Sequence, residues 1–385
     1  MFGGTFNPPH LGHMAAARAC VETLGLDLLL MVPTNLPPHK KLPEGSATPA
    51  QRLEMCRIAA AQLPGCQASD LELCRPGPSY TCDTVTLLAE QYPQAERWLV
   101  MGTDMLLSFD AWRQPEKILS LCRLAVVARS EQDRAAIAEK AAQLREKLGA
   151  GIDILPNVAF PAASTDVRSH FGSDLLDPGV AEYIRQQGLY RPTLEALRQE
   201  MQQREKPHRF AHTRGCEQLA AQMARRFGVD DYLIRAAAIL HDCTKGLTEK
   251  EQLILAEKWH IITDYGPDDF STLIHADTGA EMAKRHFRMP DAVVEAIRTH
   301  TTGGGTEPMT PAQKILYVAD MAEETRSWPG VEQLRELALT DLDGAYIAAL
   351  RQTLAFVRSQ GRTPYYKTEQ ALHTALQKTE KEEAL

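Results

Sequence analysis

The sequence predicts two domains of different class: an α/β domain built on a parallel sheet with helices on both faces, followed by an all-α domain. Three observations carry this. The chain has 385 residues, more than one hydrophobic core usually serves. Its first half alternates short apolar runs (LDLLLMVP, RWLVMG, RLAVVAR) with helical stretches at Met14 to Leu24, Gln51 to Gln62 and Cys82 to Gln91, the alternation of strands and covering helices. From about Leu194 the strand signals stop, and EQLAAQMARRF, YLIRAAAIL, DAVVEAIRTH and AQKILYVADM carry apolar residues at helical spacing.

Between the halves, RPTLEALRQEMQQREKP is charged, flanked by Pro192 and Pro207, and lacks a wide apolar stripe, so it reads as a helical linker; the expected division is 1–191, 192–206 and 207–375. The charged stretch after Thr368 is expected to fray. Hydrophobic residues at 44% and charged residues at 24% are the balance of a soluble globular chain. No apolar run approaches the ~20 residues of a membrane helix. The opening MFGGTFNPPH has neither a basic nor an apolar export segment, so a cytoplasmic location is expected. Eight cysteines form no CxxC pair and are expected to be reduced and mostly buried, which argues against a zinc ribbon or a redox motif. The net charge of -8 argues against a nucleic-acid footprint, which needs a basic face. Small anions remain open, because they need only a few local cations and helix N-termini.

The first candidate site is GGTFNPPHLGH. Gly3 and Gly4 stand where a strand should end and a helix begin, and glycines let backbone amides approach an anion closely. His10 and His13, three apart at the helix start, can face the same phosphates. Further blocks follow in order: VPTNLPPHK (Val32 to Lys40), RLEM (Arg52 to Met55), SYTCDT (Ser79 to Thr84), MGTD (Met101 to Asp104), Trp112 and STDVR (Ser164 to Arg168). Together they resemble bacterial nicotinate-mononucleotide adenylyltransferases of the nucleotidyltransferase superfamily over nearly all of residues 1 to 191.

That resemblance implies a Rossmann-like domain that joins ATP to nicotinate mononucleotide, giving deamido-NAD and pyrophosphate, with catalysis by positioning and charge neutralisation. It places Gly3, Gly4, Thr5, Phe6, His10 and His13 on the ATP phosphates, with His13 nearest the transition-state charge. Ser164, Thr165 and Arg168 grip the β- and γ-phosphates, Lys40 completes the cationic surround, and Mg²⁺ bridges the phosphates. Gly102 and Asp104 meet the ATP ribose and backbone. Lys40, Ser79, Tyr80, Thr81, Asp83, Thr84 and Trp112 form the nicotinate-mononucleotide pocket. For Tyr80 and Trp112 the competing reading is core packing. Two departures stand out. The chain starts at Met1-Phe2, which leaves the central strand almost absent, and Ala162-Ala163 precede Ser164 where the family often reads ISST.

The helical half holds His212, the pair His241-Asp242, His275, His300 and Asp320, each expected at or near the end of a helix. The order H, HD, H, H, D is the pattern of HD-domain phosphohydrolases, and six N/O donors suffice for a two-metal centre of the Fe or Mn type. By resemblance Asp242 bridges the ions, activated water is the nucleophile, and Lys245 and Arg326 meet substrate phosphates. HTRG, AILHDCTK, LIHADTGA, HTTG and ADMAEETR with WPGVEQLRELA resemble, over about Pro207 to Gly361, a bacterial HD family that hydrolyses diadenosine tetraphosphate symmetrically; Glu324 departs from its usual proline. The expected partners are therefore ATP, nicotinate mononucleotide and dinucleoside polyphosphates, with no nucleic acid and no membrane. Competing readings are nicotinamide mononucleotide or phosphopantetheine as acceptor, a non-catalytic nucleotide sensor in the second half, and a nucleic-acid processing protein. The sequence leaves the oligomeric state open.

Overall fold

The computed structural model describes residues 1–38, 41–128, 132–156, 163–169 and 173–383 and divides into two compact units, Met1–Tyr190 and Arg191–Leu385. The first holds six parallel strands, β1 (Phe2–Gly4), β2 (Leu29–Pro33), β3 (Cys66–Ala68), β4 (Trp98–Gly102), β5 (Arg123–Val127) and β6 (Ile152–Ile154), in the order β3-β2-β1-β4-β5-β6. Its helices are α1 (Leu11–Leu24), α2 (Pro49–Ala60), α3 (Thr81–Gln91), α4 (Thr103–Leu107), α5 (Pro115–Leu121), α6 (Asp133–Leu148), α7 (Ser164–Ser169) and α8 (Pro178–Gln186). Successive strand residues point to opposite faces, and the core divides accordingly. Leu99, Met101, Leu124 and Val126 pack under α3, α5 and α6 through Val85, Ile118 and Ile137. Val100, Ala125 and Val127 pack on the other face with Ala17 and Cys20 of α1 and Cys56 of α2.

The central strand is present, against expectation. Three residues suffice because both neighbours extend its ladder: Phe2, Gly3 and Gly4 pair with Met31, Val32 and Pro33, and Phe2 also pairs with Val100. Met1 adds a bond on each side of its peptide, its N donating to Trp98 O at 2.8 Å and its carbonyl accepting from Val100 N at 2.8 Å. α7 and α8 pack through Val167, Val180 and Ile184 onto Met55 and Ala59 of α2, which returns the STDVR segment toward the start of the chain.

The second unit is all helical among the described residues: α9 (Leu194–Arg204), α10 (Pro207–Phe227), α11 (Asp231–Leu240), α12 (Glu249–Lys258), α13 (Pro267–Arg285), α14 (Asp291–Thr299), α15 (Pro311–Ala322), α16 (Val331–Thr340), α17 (Leu342–Ser359) and α18 (Tyr366–Glu383). α15 is buried on every side from Lys314 to Ala319 and packs on α10, α14 and α17, the behaviour of a helix that is apolar all round. α9 occupies the segment read as a linker, with Leu197 and Met201 fully buried. The tail expected to fray is instead helical through Glu383, anchored by buried Thr368 and Ala371. All eight cysteines are free and six are buried. Among the described residues no helix is long and apolar enough to cross a membrane.

One charged node ties α9, α10 and α11 together. Glu217, 2% exposed, accepts from Arg198 at 2.7 Å, Arg235 at 2.9 Å and Arg214 at 2.5 Å. Burial pushes its pKa up, but Arg198 and Arg235 outweigh that and hold it below the ordinary value. Glu217→Ala should cost about 1–3 kcal/mol in urea unfolding, because it strands three guanidinium groups that keep partial contact with water. The wild-type advantage is full above the unfolded-state pKa of about 4.3 and is lost as pH falls through the lower folded value. An unchanged urea midpoint at pH 7 would refute this role.

Candidate active sites

In the first unit β1 and β4 lie side by side at the centre of the sheet, and the chain leaves them toward opposite edges. A crevice at the carboxyl ends of such strands is where open α/β sheets bind ligands. β1 ends in Gly3-Gly4 and β4 in Gly102, and all three line a cavity of about 800 Å³. A side chain at Gly4 would press the Phe6 ring, 3.1 Å from the position of its Cβ.

The anion motifs meet in this cavity. Thr5, Phe6, His10, His13, Asp104, Ser164, Thr165 and Arg168 all line it. His13 Nδ1 accepts from the His10 backbone N–H at 3.1 Å, so a neutral His13 carries its proton on Nε2 as a donor. The Phe6 side chain supports His13. Its ring is buried edge-on against His13, with centroids 5.0 Å apart, and its φ of 47° is a left-handed conformation that non-glycine residues rarely adopt. Arg168 Nη1 donates to Asn7 O at 2.5 Å and Ser164 Oγ to Pro8 O at 2.9 Å, so the STDVR helix docks directly on the first loop.

Two residues behind this wall received no role from sequence. Arg52, fully buried, donates to Thr5 O at 2.7 Å and Thr34 O at 2.6 Å, tying the loops after β1 and β2. Tyr190 Oη donates to Asn7 Oδ1 at 2.6 Å. Arg52 fell within a motif block, but spacing does not distinguish a buried guanidinium from a surface one.

The same cavity is also lined by Ser79, Tyr80, Thr81 and Trp112, together with Arg113, whose guanidinium lies 4.6 Å from the Tyr80 ring centroid. Tyr80 and Trp112 both line the cavity and pack on the core, so the two readings of them hold together. The structure does not bring Asp83 and Thr84 to the cavity. One turn into α3, Thr84 is fully buried, with Oγ1 donating to Glu72 at 2.9 Å and accepting from Arg75 at 2.7 Å. Lys40 and Ala162 lie outside the described residues.

In the second unit all six predicted donors converge. His241 and His300 close the C-terminal ends of α11 and α14, and Asp320 lies in the last turn of α15, whereas His212 and His275 are interior to α10 and α13 rather than near helix ends. Two lobes share Asp242. Its Oδ1 lies 3.3 Å from His275 Nε2 and 3.6 Å from His300 Nε2, and its Oδ2 lies 3.6 Å from His241 Nε2 and 4.0 Å from His212 Nε2. Asp320 Oδ1 joins the second pair, 3.1 Å from His212 Nε2 and 3.9 Å from His241 Nε2.

The rings are held from behind. Nδ1 of His241 meets Ala238 O at 2.8 Å, Nδ1 of His300 meets Ile297 O at 2.6 Å, and Nδ1 of His212 meets the buried Glu323 carboxylate at 2.9 Å. The carbonyls fix the Nδ1 proton of His241 and His300, so each of those Nε2 atoms turns a lone pair inward, the arrangement of metal-bound imidazole. Gly215 makes room for Glu323, since a Cβ there would collide with its carboxylate. Burial drives His241 and His275 down to about 4, so both are neutral. Burial also disfavours charge on His212, yet the Asp320 and Glu323 carboxylates raise it to about 9. The carboxylates thus demand a positive charge at the spot where the Nε2 atoms converge, and the donor set fits a divalent cation.

Of the two cations expected to meet phosphates, Arg326 is engaged with Asp320 at 2.6 Å, and Lys245 Nζ lies 3.1 Å from both nitrogens of His275. Arg209 was missed: its Nη1 lies 2.5 Å from Asp242 Oδ2.

Comparison with known proteins follows the same division. Residues 1–169 match the cytidylyltransferase-like family and residues 209–324 the HD domain family. A "Probable nicotinate-nucleotide adenylyltransferase" of Gloeobacter violaceus is 40% identical over 196 residues, 49% of this chain and 94% of that protein. One of Symbiobacterium thermophilum is 37% identical over 196 residues, covering 49% and 93%. Among solved structures, a Clostridium acetobutylicum protein described as a predicted HD superfamily hydrolase involved in NAD metabolism aligns with a TM-score of 0.45 and 26% identity over 49% of this chain and 99% of that one.

Glu323, noticed in the sequence only as the neighbour of the departing Glu324, orients His212 from 2.9 Å. Glu323→Ala should weaken divalent-cation binding by the full-length protein about 10- to 100-fold, as loss of a group behind a liganding histidine typically does. Competition with a chromogenic chelator measures this, and unchanged affinity would show that Glu323 serves only packing.

Proposed function

The chain belongs, through its first unit, to the nicotinate-nucleotide adenylyltransferase family, and from that premise we propose two activities. The first unit transfers adenylyl from ATP to nicotinate mononucleotide, giving deamido-NAD and pyrophosphate. The HD unit hydrolyses dinucleoside tetraphosphates. The observation that carries the first is the meeting of both anion motifs in one cavity, with Arg168 bonded to Asn7 O.

In the transfer, a phosphate oxygen of the mononucleotide attacks the α-phosphorus of ATP in line, and the bond to the β-phosphate breaks. His13 Nε2–H and His10 donate to the phosphates where charge develops, the amides of Gly3, Gly4 and Thr5 line the path, and Ser164, Thr165, Arg168 and Lys40 retain the departing pyrophosphate. Mg²⁺, when bound, offsets phosphate charge. Gly102 and Asp104 meet the ATP ribose, while Ser79, Tyr80, Thr81 and Trp112 receive the pyridine nucleotide. Arg113 over Tyr80 favours a carboxylate-bearing ring over nicotinamide. The free thiols fit a cytoplasmic location.

In the HD unit His212, His241, Asp242 and Asp320 would hold one ion, and Asp242, His275 and His300 a second, of the Fe or Mn type. Such ions supply Lewis acidity and a nucleophile at neutral pH. Asp242 would contribute to both ions, with Arg209 holding its carboxylate in place. Lys245 and Arg326 bind the remaining phosphates, Arg326 exchanging its Asp320 contact for substrate. Water then adds to the second phosphorus from one adenosine, and the bond to the third breaks, which gives two ADP. The complete donor set favours hydrolysis over a sensor.

His13→Ala should lower kcat for deamido-NAD formation on the order of 10²-fold or more, followed by pyrophosphate release; near-normal turnover would dismiss the phosphate-site assignment.

On diadenosine tetraphosphate the full chain should form ADP alone, and His241→Ala with Asp242→Ala should abolish that hydrolysis while adenylyl transfer continues. Release of ATP with AMP would refute symmetric cleavage, and hydrolysis by the double variant would refute the site.

A further inference from the structure

The first metal lobe contains a donor that the histidine and aspartate pattern does not include. Cys216 stands four residues after His212 on α10, one helical turn along the same face. It is fully buried, and its Sγ lies 3.5 Å from His212 Nε2 and 3.7 Å from Nδ1. The sulfur therefore faces the His212 ring on the side where the other donors of this lobe gather. Donor atoms of His212, Cys216, His241 and Asp320 all lie within 4.8 Å of one another.

The spacings match a coordination shell. With metal–nitrogen and metal–oxygen bonds of about 2.0–2.2 Å and a metal–sulfur bond of about 2.3 Å, neighbouring donors around one ion stand roughly 3–4 Å apart. The observed edges are 3.3 Å between His212 and His241 Nε2, 3.1 Å between His212 Nε2 and Asp320 Oδ1, 3.9 Å between His241 Nε2 and Asp320 Oδ1, and 3.5 Å from His212 Nε2 to Cys216 Sγ. Among the described residues, the thiol's hydrogen-bond partner other than His212 is Ala319 O at 3.7 Å, a weak contact.

We propose that Cys216 is a thiolate ligand of the ion in this lobe, alongside His212, His241 and Asp320, which makes the lobe a mixed nitrogen, oxygen and sulfur site. The proposal rests on the metal-site reading of the HD unit. On binding, the S–H bond breaks heterolytically, the proton passes to solvent, and the electron pair left on sulfur forms the bond to the metal, with no change of oxidation state. A thiolate shifts preference toward Zn²⁺, Fe²⁺ and Co²⁺ and away from Mg²⁺ and Mn²⁺. The two lobes then differ in kind, because the Asp242, His275 and His300 lobe has nitrogen and oxygen donors only.

Cobalt tests this without any assay of activity. Full-length protein, stripped with a chelator and titrated with Co²⁺, should show the visible bands of bound cobalt together with a near-ultraviolet sulfur-to-cobalt charge-transfer band. Cys216→Ser and Cys216→Ala should lose the charge-transfer band, keep visible bands and bind cobalt more weakly, on the order of tenfold or more. Cys74→Ser, at an exposed thiol, should keep both sets. In the wild type, where no variant has to fold, X-ray absorption at the cobalt edge should find one sulfur at about 2.3 Å. Visible bands without sulfur in the wild type would overturn the proposal and leave the metal-site reading standing. Survival of the charge-transfer band in both Cys216 variants would overturn it too, by assigning the sulfur elsewhere. No bound cobalt at all would overturn both.

Discussion

The orientation of imidazole rings by the groups behind them is the constraint on which both sites depend, and the two units apply it in opposite senses. In the first, a backbone N–H behind His13 occupies Nδ1 and leaves Nε2 as a donor. In the second, carbonyls behind His241 and His300 take the Nδ1 proton and leave Nε2 as an acceptor, while a carboxylate stands behind His212. Phosphate oxygens need donors and metal ions need lone pairs. For His13, His241 and His300 the choice between donor and acceptor at Nε2 is made by whether the ring backs onto a helix N-terminus or a helix C-terminus. His13 follows the start of α1, where free N–H groups point, while His241 and His300 follow the ends of α11 and α14, where carbonyls do.

The same division explains what sequence shows and hides. The alternation of apolar runs and helices was enough for the parallel sheet, because strands buried on both faces must be almost wholly apolar. The cavity-facing blocks were legible in another way: only His10 and His13 could be read from their spacing at a helix start, and the other blocks from their resemblance to a known family. Residues standing behind them obey no such spacing. Arg52 stands on the buried face of α2 beside Met55, Cys56 and Ala59, Glu323 lies just beyond α15, and each acquires its role from a loop or helix far away in sequence. Thr84 sat in a legible block, but one turn of α3 carries it from the cavity to the core.

The length of an element misled in both directions. β1 looked too short to form, yet a central strand draws on the ladders of two neighbours. The chain after Thr368 looked too charged to order, yet two buried positions anchor it on the rest of the unit. In each case the missing information was tertiary, as expected where packing overrides local pattern.

The bonds that close the first site span nearly the whole unit: Arg168 reaches Asn7 across 161 residues of sequence, and Tyr190 reaches the same asparagine across 183. A chain leaving the ribosome N-terminus first presents its phosphate loop early, but that loop has no far wall until the last residues of the unit emerge. The wall of the crevice is therefore completed late in synthesis, and a nascent chain halted before Tyr190 exposes Gly3, Gly4, His10 and His13 without the partners that close over their loop.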